Sequence, residues 1–100
     1  MRRTKLGRVI DLELLKKVRE MPCRVCGRQP SPGNPNDPDH IRTRGSGGGD
    51  TENNLWALCR FHHIEKGRIG IKTFAEKYKL PVCFDNGYPE LILTKREEWD

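Results

Sequence analysis

Cys23-Arg-Val-Cys26, answered far down the chain by Cys59-Arg-Phe-His62-His63, decides what kind of domain this sequence makes. Two cysteines separated by two residues form a turn in which both thiolates face one ion, and Gly27 supplies the backbone freedom such a turn needs. The second pair repeats the spacing. Three thiolates and an imidazole are the donor set of a closed tetrahedral zinc site, split here into two half-sites. The fourth donor is open among His62, His63 and Cys83. The repeated two-residue step selects His62. Neighbouring helical residues point about 100° apart, so His63 then faces elsewhere. Cys83 is left as a core thiol.

Length and composition agree with a metal-braced single domain. The chain has 100 residues, of which 34% are hydrophobic, with ten glycines and seven prolines. A chain this small and polar buries a modest core and needs a staple; structural zinc contributes about 10–16 kcal/mol of apparent folding free energy in small fingers. No apolar run approaches the ~20 residues of a membrane span, and no apolar stretch follows the basic N-terminus as in a signal peptide. Four cysteines without an export signal indicate a reducing compartment and metal binding. The formal charge is +5. That excess points to a polyanion, meaning nucleic acid, although it also serves solubility.

The local signals give an α+β order. Residues 1–10, with Arg2, Arg3, Lys5 and Arg8, read as a mobile basic arm. Asp11 caps a helix to about Glu20, ended by Pro22. Residues 29–38 hold four prolines and read as loop. Asp39 to Thr43 is expected as a first strand and Leu55 to Leu58 as a second. Gly45-Ser-Gly-Gly-Gly49 between them holds no regular structure. Cys59 to Lys66 reads as a helix stopped near Gly67. Thr73-Phe-Ala-Glu76 is a capping box opening a further helix to about Leu80, with Phe74 and Tyr78 in the core. Leu91-Ile-Leu93 is ambiguous between strand and helix.

Asp39-His40-Ile41, the glycine loop, Asn54-Leu55 and Leu58-Cys59-x-x-His62-His63, with Lys66 beyond, resemble the HNH endonuclease family, in the branch stapled by zinc. The resemblance covers residues 23–67, leaving 73–100 as a C-terminal helix and tail. One departure is visible: the last zinc ligand, usually cysteine in that branch, is His62 here. The resemblance implies a ββα-metal (His-Me finger) core and hydrolysis of DNA phosphodiesters. It implies that His40 is the general base, that Asp39 and His63 hold a catalytic divalent cation, and that Asn54 holds the loop orienting His40. A further family ligand position is Gly67 here, so that ion has two protein ligands. It also implies a cytoplasmic protein of bacterial or phage origin.

The chemistry fits these residue types. A histidine with an ordinary pKa near 6.5 is largely neutral at pH 7 and takes a proton from water. One hard oxygen and one imidazole leave a cation open positions for phosphate and water, which suits Mg²⁺ or Mn²⁺ and also accepts Ni²⁺ or Zn²⁺. One geometric difficulty stands: adjacent strand residues point to opposite faces, so Asp39 and His40 share a site only if the backbone twists or one reaches around the edge. Arg42, Arg44, Arg60 and Lys66 are the expected phosphate contacts, with a solvated basic face as the alternative. No recognition helix is evident, so weak sequence preference and steep salt dependence are expected. The competing reading is a catalytically silent, zinc-stapled nucleic-acid-binding module. Monomer and homodimer are equally compatible with the sequence.

Overall fold

A computed structural model of the chain describes residues 2–3, 9–84 and 88–92. Among the described residues, eight short elements surround a central two-stranded sheet. Strand β1 (Arg2–Arg3) pairs antiparallel with β2 (Val9–Ile10). The basic arm is therefore paired at both of these segments and not an unstructured tail there; residues 1 and 4–8 lie outside the described residues. Helix α1 (Leu12–Arg19) starts where the Asp11 side chain accepts from the Leu14 N–H at 3.1 Å.

The central sheet is β3 (Asp37–His40) paired antiparallel with β4 (Leu55–Leu58), in the register Asp37↔Leu58, Pro38↔Ala57, Asp39↔Trp56 and His40↔Leu55. The first strand thus begins two residues before the sequence reading and ends at His40. Pro38 argues against a strand interior, but each strand of a two-stranded sheet has an outer edge where a missing N–H costs nothing. The turn Arg44–Ser46 is a 3₁₀ helix that Thr43 caps through its hydroxyl.

All four residues of β4 are buried, and the two-residue period sends them to two cores. Leu55 and Ala57 pack with Leu15 and Val18 of α1. Trp56 and Leu58 pack with Ile41, Phe74 and Leu91 on the other side.

Helix α2 (Arg60–Ile69) runs through Gly67 and stops at Gly70, whose φ of 87° is open to glycine alone at little cost. Helix α3 (Ile71–Tyr78) follows directly, with Gly70 as its N-cap and no side-chain capping bond. The expected capping box is not used, because Gly70 reverses the chain first and leaves Thr73 inside the helix. Phe74 is fully buried and stacks edge-on against Trp56 and Tyr78; Tyr78 itself is half-buried. Strands β5 (Val82–Cys83) and β6 (Glu90–Leu91) pair antiparallel, which makes Leu91 a strand residue, while residues 93–100 lie outside the described residues. Cys83 is half-buried on β5. No described helix is long and apolar enough to cross a membrane.

Candidate functional site

The first cluster is built by two half-turns. Cys23 accepts the Gly27 N–H through its carbonyl at 2.8 Å, and the Cys23 N–H donates to the Arg28 carbonyl, closing the turn. Gly27 at φ 74° completes it, and the Arg24 N–H fastens it to the Ala57 carbonyl of β4. Cys59 follows β4 directly and is the N-cap of α2, where the His62 N–H reaches its sulfur. One turn on, His62 directs Nδ1 to the same point.

The four donor atoms of Cys23, Cys26, Cys59 and His62 all lie within 4.8 Å of one another. The recorded pairs are Cys26 Sγ to Cys59 Sγ at 3.9 Å, Cys23 Sγ to His62 Nδ1 at 3.8 Å and Cys59 Sγ to His62 Nδ1 at 3.2 Å. Zn–S and Zn–N bond lengths in a tetrahedron place sulfurs about 3.8 Å apart and sulfur and nitrogen about 3.6 Å apart. The donor set and spacing therefore suit a zinc ion. His62, not His63 or Cys83, completes it. Its ring is wedged edge-on between Phe61 and Tyr78, which fixes its orientation.

The thiols are electrostatically unequal. Burial opposes ionisation of Cys23, but the N–H groups of Cys26, Cys59 and Val25 outweigh it and bring that thiol down to about 6. Burial pushes Cys59 up, and the nearby Cys23 and Cys26 sulfurs push it further against the His62 N–H. A second thiolate beside the first needs a cation to stabilise it.

The second cluster adjoins the first because His63 follows His62 on α2. Asp39, His40, His63 and Lys66 line one cleft of about 410 Å³ with Leu15, Arg19, Pro38, Thr43 and Arg44. The geometric difficulty of two adjacent strand residues is resolved at the strand's end. His40 is the last residue of β3, and its ring is drawn to Asp50 of the following loop.

Asp39 is buried, and its carboxylate is crowded with donors. Oδ2 accepts from Trp56 Nε1 at 2.8 Å and pairs with the Lys66 ammonium at 2.9 Å. Oδ1 lies 3.3 Å from His63 Nε2. Burial raises its pKa, but His63, Lys66 and Trp56 together hold it below the usual carboxylate range. The other ring nitrogen, His63 Nδ1, is 2.9 Å from Asp37 Oδ2. Asp39 raises the His63 pKa most, against the opposing effect of burial, and Asp37 adds to the rise. Two ligands at about 2.1 Å from an octahedral cation sit about 3.0 Å apart when adjacent. The 3.3 Å between Asp39 Oδ1 and His63 Nε2 fits such a pair, provided the cation displaces the Nε2 proton.

His40 Nε2 is 2.6 Å from Asp50 Oδ1. Asp50 is 2% exposed and also accepts the Asp11 N–H at 3.0 Å. Burial opposes its ionisation, but His40, the Asp11 N–H and Arg44 keep it ionised below the ordinary range. An ionised partner accepts the Nε2 proton, so Nδ1 is the nitrogen that carries the lone pair. Asn54 holds the loop between them. Its side chain accepts the Arg42 N–H at 2.7 Å and donates to the Arg42 and Gly49 carbonyls at 3.1 and 2.9 Å.

The four expected phosphate contacts fare differently. Arg44 is exposed at the cleft mouth. Arg42 donates to the Ser46 carbonyl and stacks on Tyr88, with its guanidinium carbon 3.8 Å from the ring centre. Arg60 makes a two-pronged pair with Asp37 at 2.8 and 3.1 Å. Lys66 is buried and turned inward to Asp39 and the His40 carbonyl, so its charge is spent inside the protein.

Three residues escaped the sequence reading: Asp37, Asp50 and Arg19. Asp37 is the same-face neighbour of Asp39 on β3, a relation visible in sequence only once the strand is known to start at Asp37. Arg19 reaches the cleft, and Asp50 reaches His40 behind it, through tertiary folding alone. Comparison with protein-family models, with curated proteins and with solved structures finds no match to this chain.

Proposed function

We propose that this protein is a zinc-stapled, metal-dependent endonuclease of the HNH type, with a ββα-metal core formed by β3, β4 and α2, and that it hydrolyses DNA phosphodiesters. The observation that carries the reading is the convergence of Asp39, His40 and His63 on one cleft, with His40 backed by a buried carboxylate. Zinc on Cys23, Cys26, Cys59 and His62 braces the start of α2 and so fixes the position of His63. Asp39 Oδ1 and His63 Nε2 would hold a Mg²⁺ or Mn²⁺, which would supply charge neutralisation at the phosphate and the departing 3′ oxygen.

The chain's own residues do the rest. His40 Nδ1 takes a proton from water as its oxygen bonds to phosphorus and the P–O3′ bond breaks. Asp50 stabilises the imidazolium that results. Arg44 and Arg19 at the cleft offer the flanking phosphates guanidinium groups. These contacts are to the backbone, which supports weak sequence preference and steep salt dependence.

One observation favours the silent binding module instead. Lys66 and Trp56 already satisfy Asp39 Oδ2 without any added cation. Supercoiled plasmid incubated with Mn²⁺, beside an EDTA control and His40→Ala, separates the two. The nuclease reading expects nicked circles in the first tube alone. Salt-sensitive DNA binding with no cleavage in any tube would leave the binding module.

A further inference from the structure

His63 is gripped at both ring nitrogens, and the two grips are not equivalent. Asp37 and Asp39 are two apart on β3, so both carboxylates stand on one face of the strand. Asp39 reaches Nε2 at 3.3 Å, and Asp37 reaches Nδ1 at 2.9 Å. The shorter contact is to the nitrogen facing away from the candidate cation. Asp37 is itself held by the Arg60 fork, and Arg60 lies three residues before His63 on the same face of α2.

We infer that Asp37 is a positioning residue for a divalent cation: it accepts the Nδ1 proton of His63, fixes the ring's tautomer and plane, and so presents the Nε2 lone pair beside Asp39 Oδ1. This rests on the reading of Asp39 and His63 as ligands of one ion. Imidazole ligands owe their orientation and basicity to an acceptor on the other nitrogen, and loss of that acceptor typically weakens metal binding 10–100-fold. Arg60 is thereby paired with Asp37 and becomes a support three contacts from the ion. Asp37 never touches the ion, since Nδ1 and Nε2 point to opposite sides of the ring.

Mn²⁺ binding to the zinc-loaded protein, followed by electron paramagnetic resonance in alkaline buffer where His63 is neutral, tests this without reference to activity. Wild type is expected to bind one Mn²⁺, and Asp39→Ala none. Asp37→Ala should bind it 10–100-fold more weakly, with zinc content and circular dichroism unchanged. Asp37→Asn keeps an oxygen acceptor and should fall between the two. Equal Mn²⁺ affinity in Asp37→Ala and wild type would overturn the role of Asp37 while leaving the cation site intact. Absence of Mn²⁺ binding in wild type would remove the site itself, and the positioning role with it. If Asp37→Ala loses zinc, Asp37→Asn alone decides, and wild-type affinity in that variant together with an Nε2–H tautomer by ring nitrogen NMR counts against the inference.

Discussion

Gly48→Ala tests how tightly the loop between the two strands is seated. The glycine run reads in sequence as a tether or as a surface for close approach to a duplex. In the fold, Gly48 and Gly49 are packed against the chain's own backbone. A methyl group at Gly48 would stand 1.8 Å from the Arg42 carbonyl oxygen, 2.7 Å from its carbon and 2.8 Å from Asn54 Nδ2. The two nearest obstructing atoms are backbone, so the loop and Arg42 must part by roughly 1 Å before the contact is even tight.

Four hydrogen bonds cross that seam. They are Gly48 N–H to the Thr43 carbonyl and the three bonds of the Asn54 side chain. At about 0.5–1.5 kcal/mol net each, their loss costs about 2–6 kcal/mol, a large share of the ~5–15 kcal/mol typical of a domain. Urea unfolding of the zinc-loaded protein, followed by Trp56 fluorescence, should show a lower midpoint with an unchanged slope. Cleavage should fall too, because the shift separates Asp50 from His40, while Mn²⁺ affinity holds. A stability loss below about 1 kcal/mol would refute the packing argument.

Other outcomes follow from the same contacts. Removing zinc with a chelator, or replacing Cys59 with Ser, should abolish the cooperative melt seen by circular dichroism, since about 10–16 kcal/mol of apparent folding energy goes with the metal; a folded metal-free form would contradict this. Asp50→Ala should cut plasmid nicking at least ~10-fold by loosening the general base and leave Mn²⁺ affinity alone; an unchanged rate would remove Asp50 from the mechanism. Lys66→Met leaves Asp39 buried without its ammonium and should cost about 3–5 kcal/mol. Added Mn²⁺ should restore part of that loss, and a melting temperature indifferent to Mn²⁺ would speak against an ion at Asp39. Asp37, Asp39 and Asp50 all have depressed folded pKa values, so their stabilisation is complete above the ordinary carboxylate range near 4 and disappears as pH falls through the folded values. His63 is raised, so its ion pairs stabilise below about 6.5 and are lost as pH climbs through its folded value. Stability of the zinc-loaded protein without added Mn²⁺ should therefore decline on both sides; a midpoint that stays flat from neutral pH down to about 3 would show that these pairs stabilise nothing.

The parts legible in the sequence are those governed by short spacing. Cys23-x-x-Cys26 and Cys59-x-x-His62 each close within one turn, so the chain's local geometry alone pairs their donors. Leu55 to Leu58 is apolar without a break, and its burial on both faces follows from that. The start of β3 is not legible in the sequence, because Pro38 is a strand breaker everywhere except at an edge, and edges are a property of the sheet. Gly67 and the Thr73-x-x-Glu76 box are genuine local signals, overridden because Gly70 supplies a sharper reversal between α2 and α3.

Residue types and ligand spacing, then, were enough to specify a Cys₃His cluster and to nominate Asp39, His40 and His63 beside it. Only the tertiary structure decided the partners: that Asp50 backs His40, that Asp37 grips His63 and pairs with the exposed Arg60, and that Lys66 is buried against Asp39. Spacing along a chain fixes geometry over one turn of backbone. Contacts between residues ten to forty positions apart depend on how β3, β4 and α2 pack, which is what brings these opposite charges within reach.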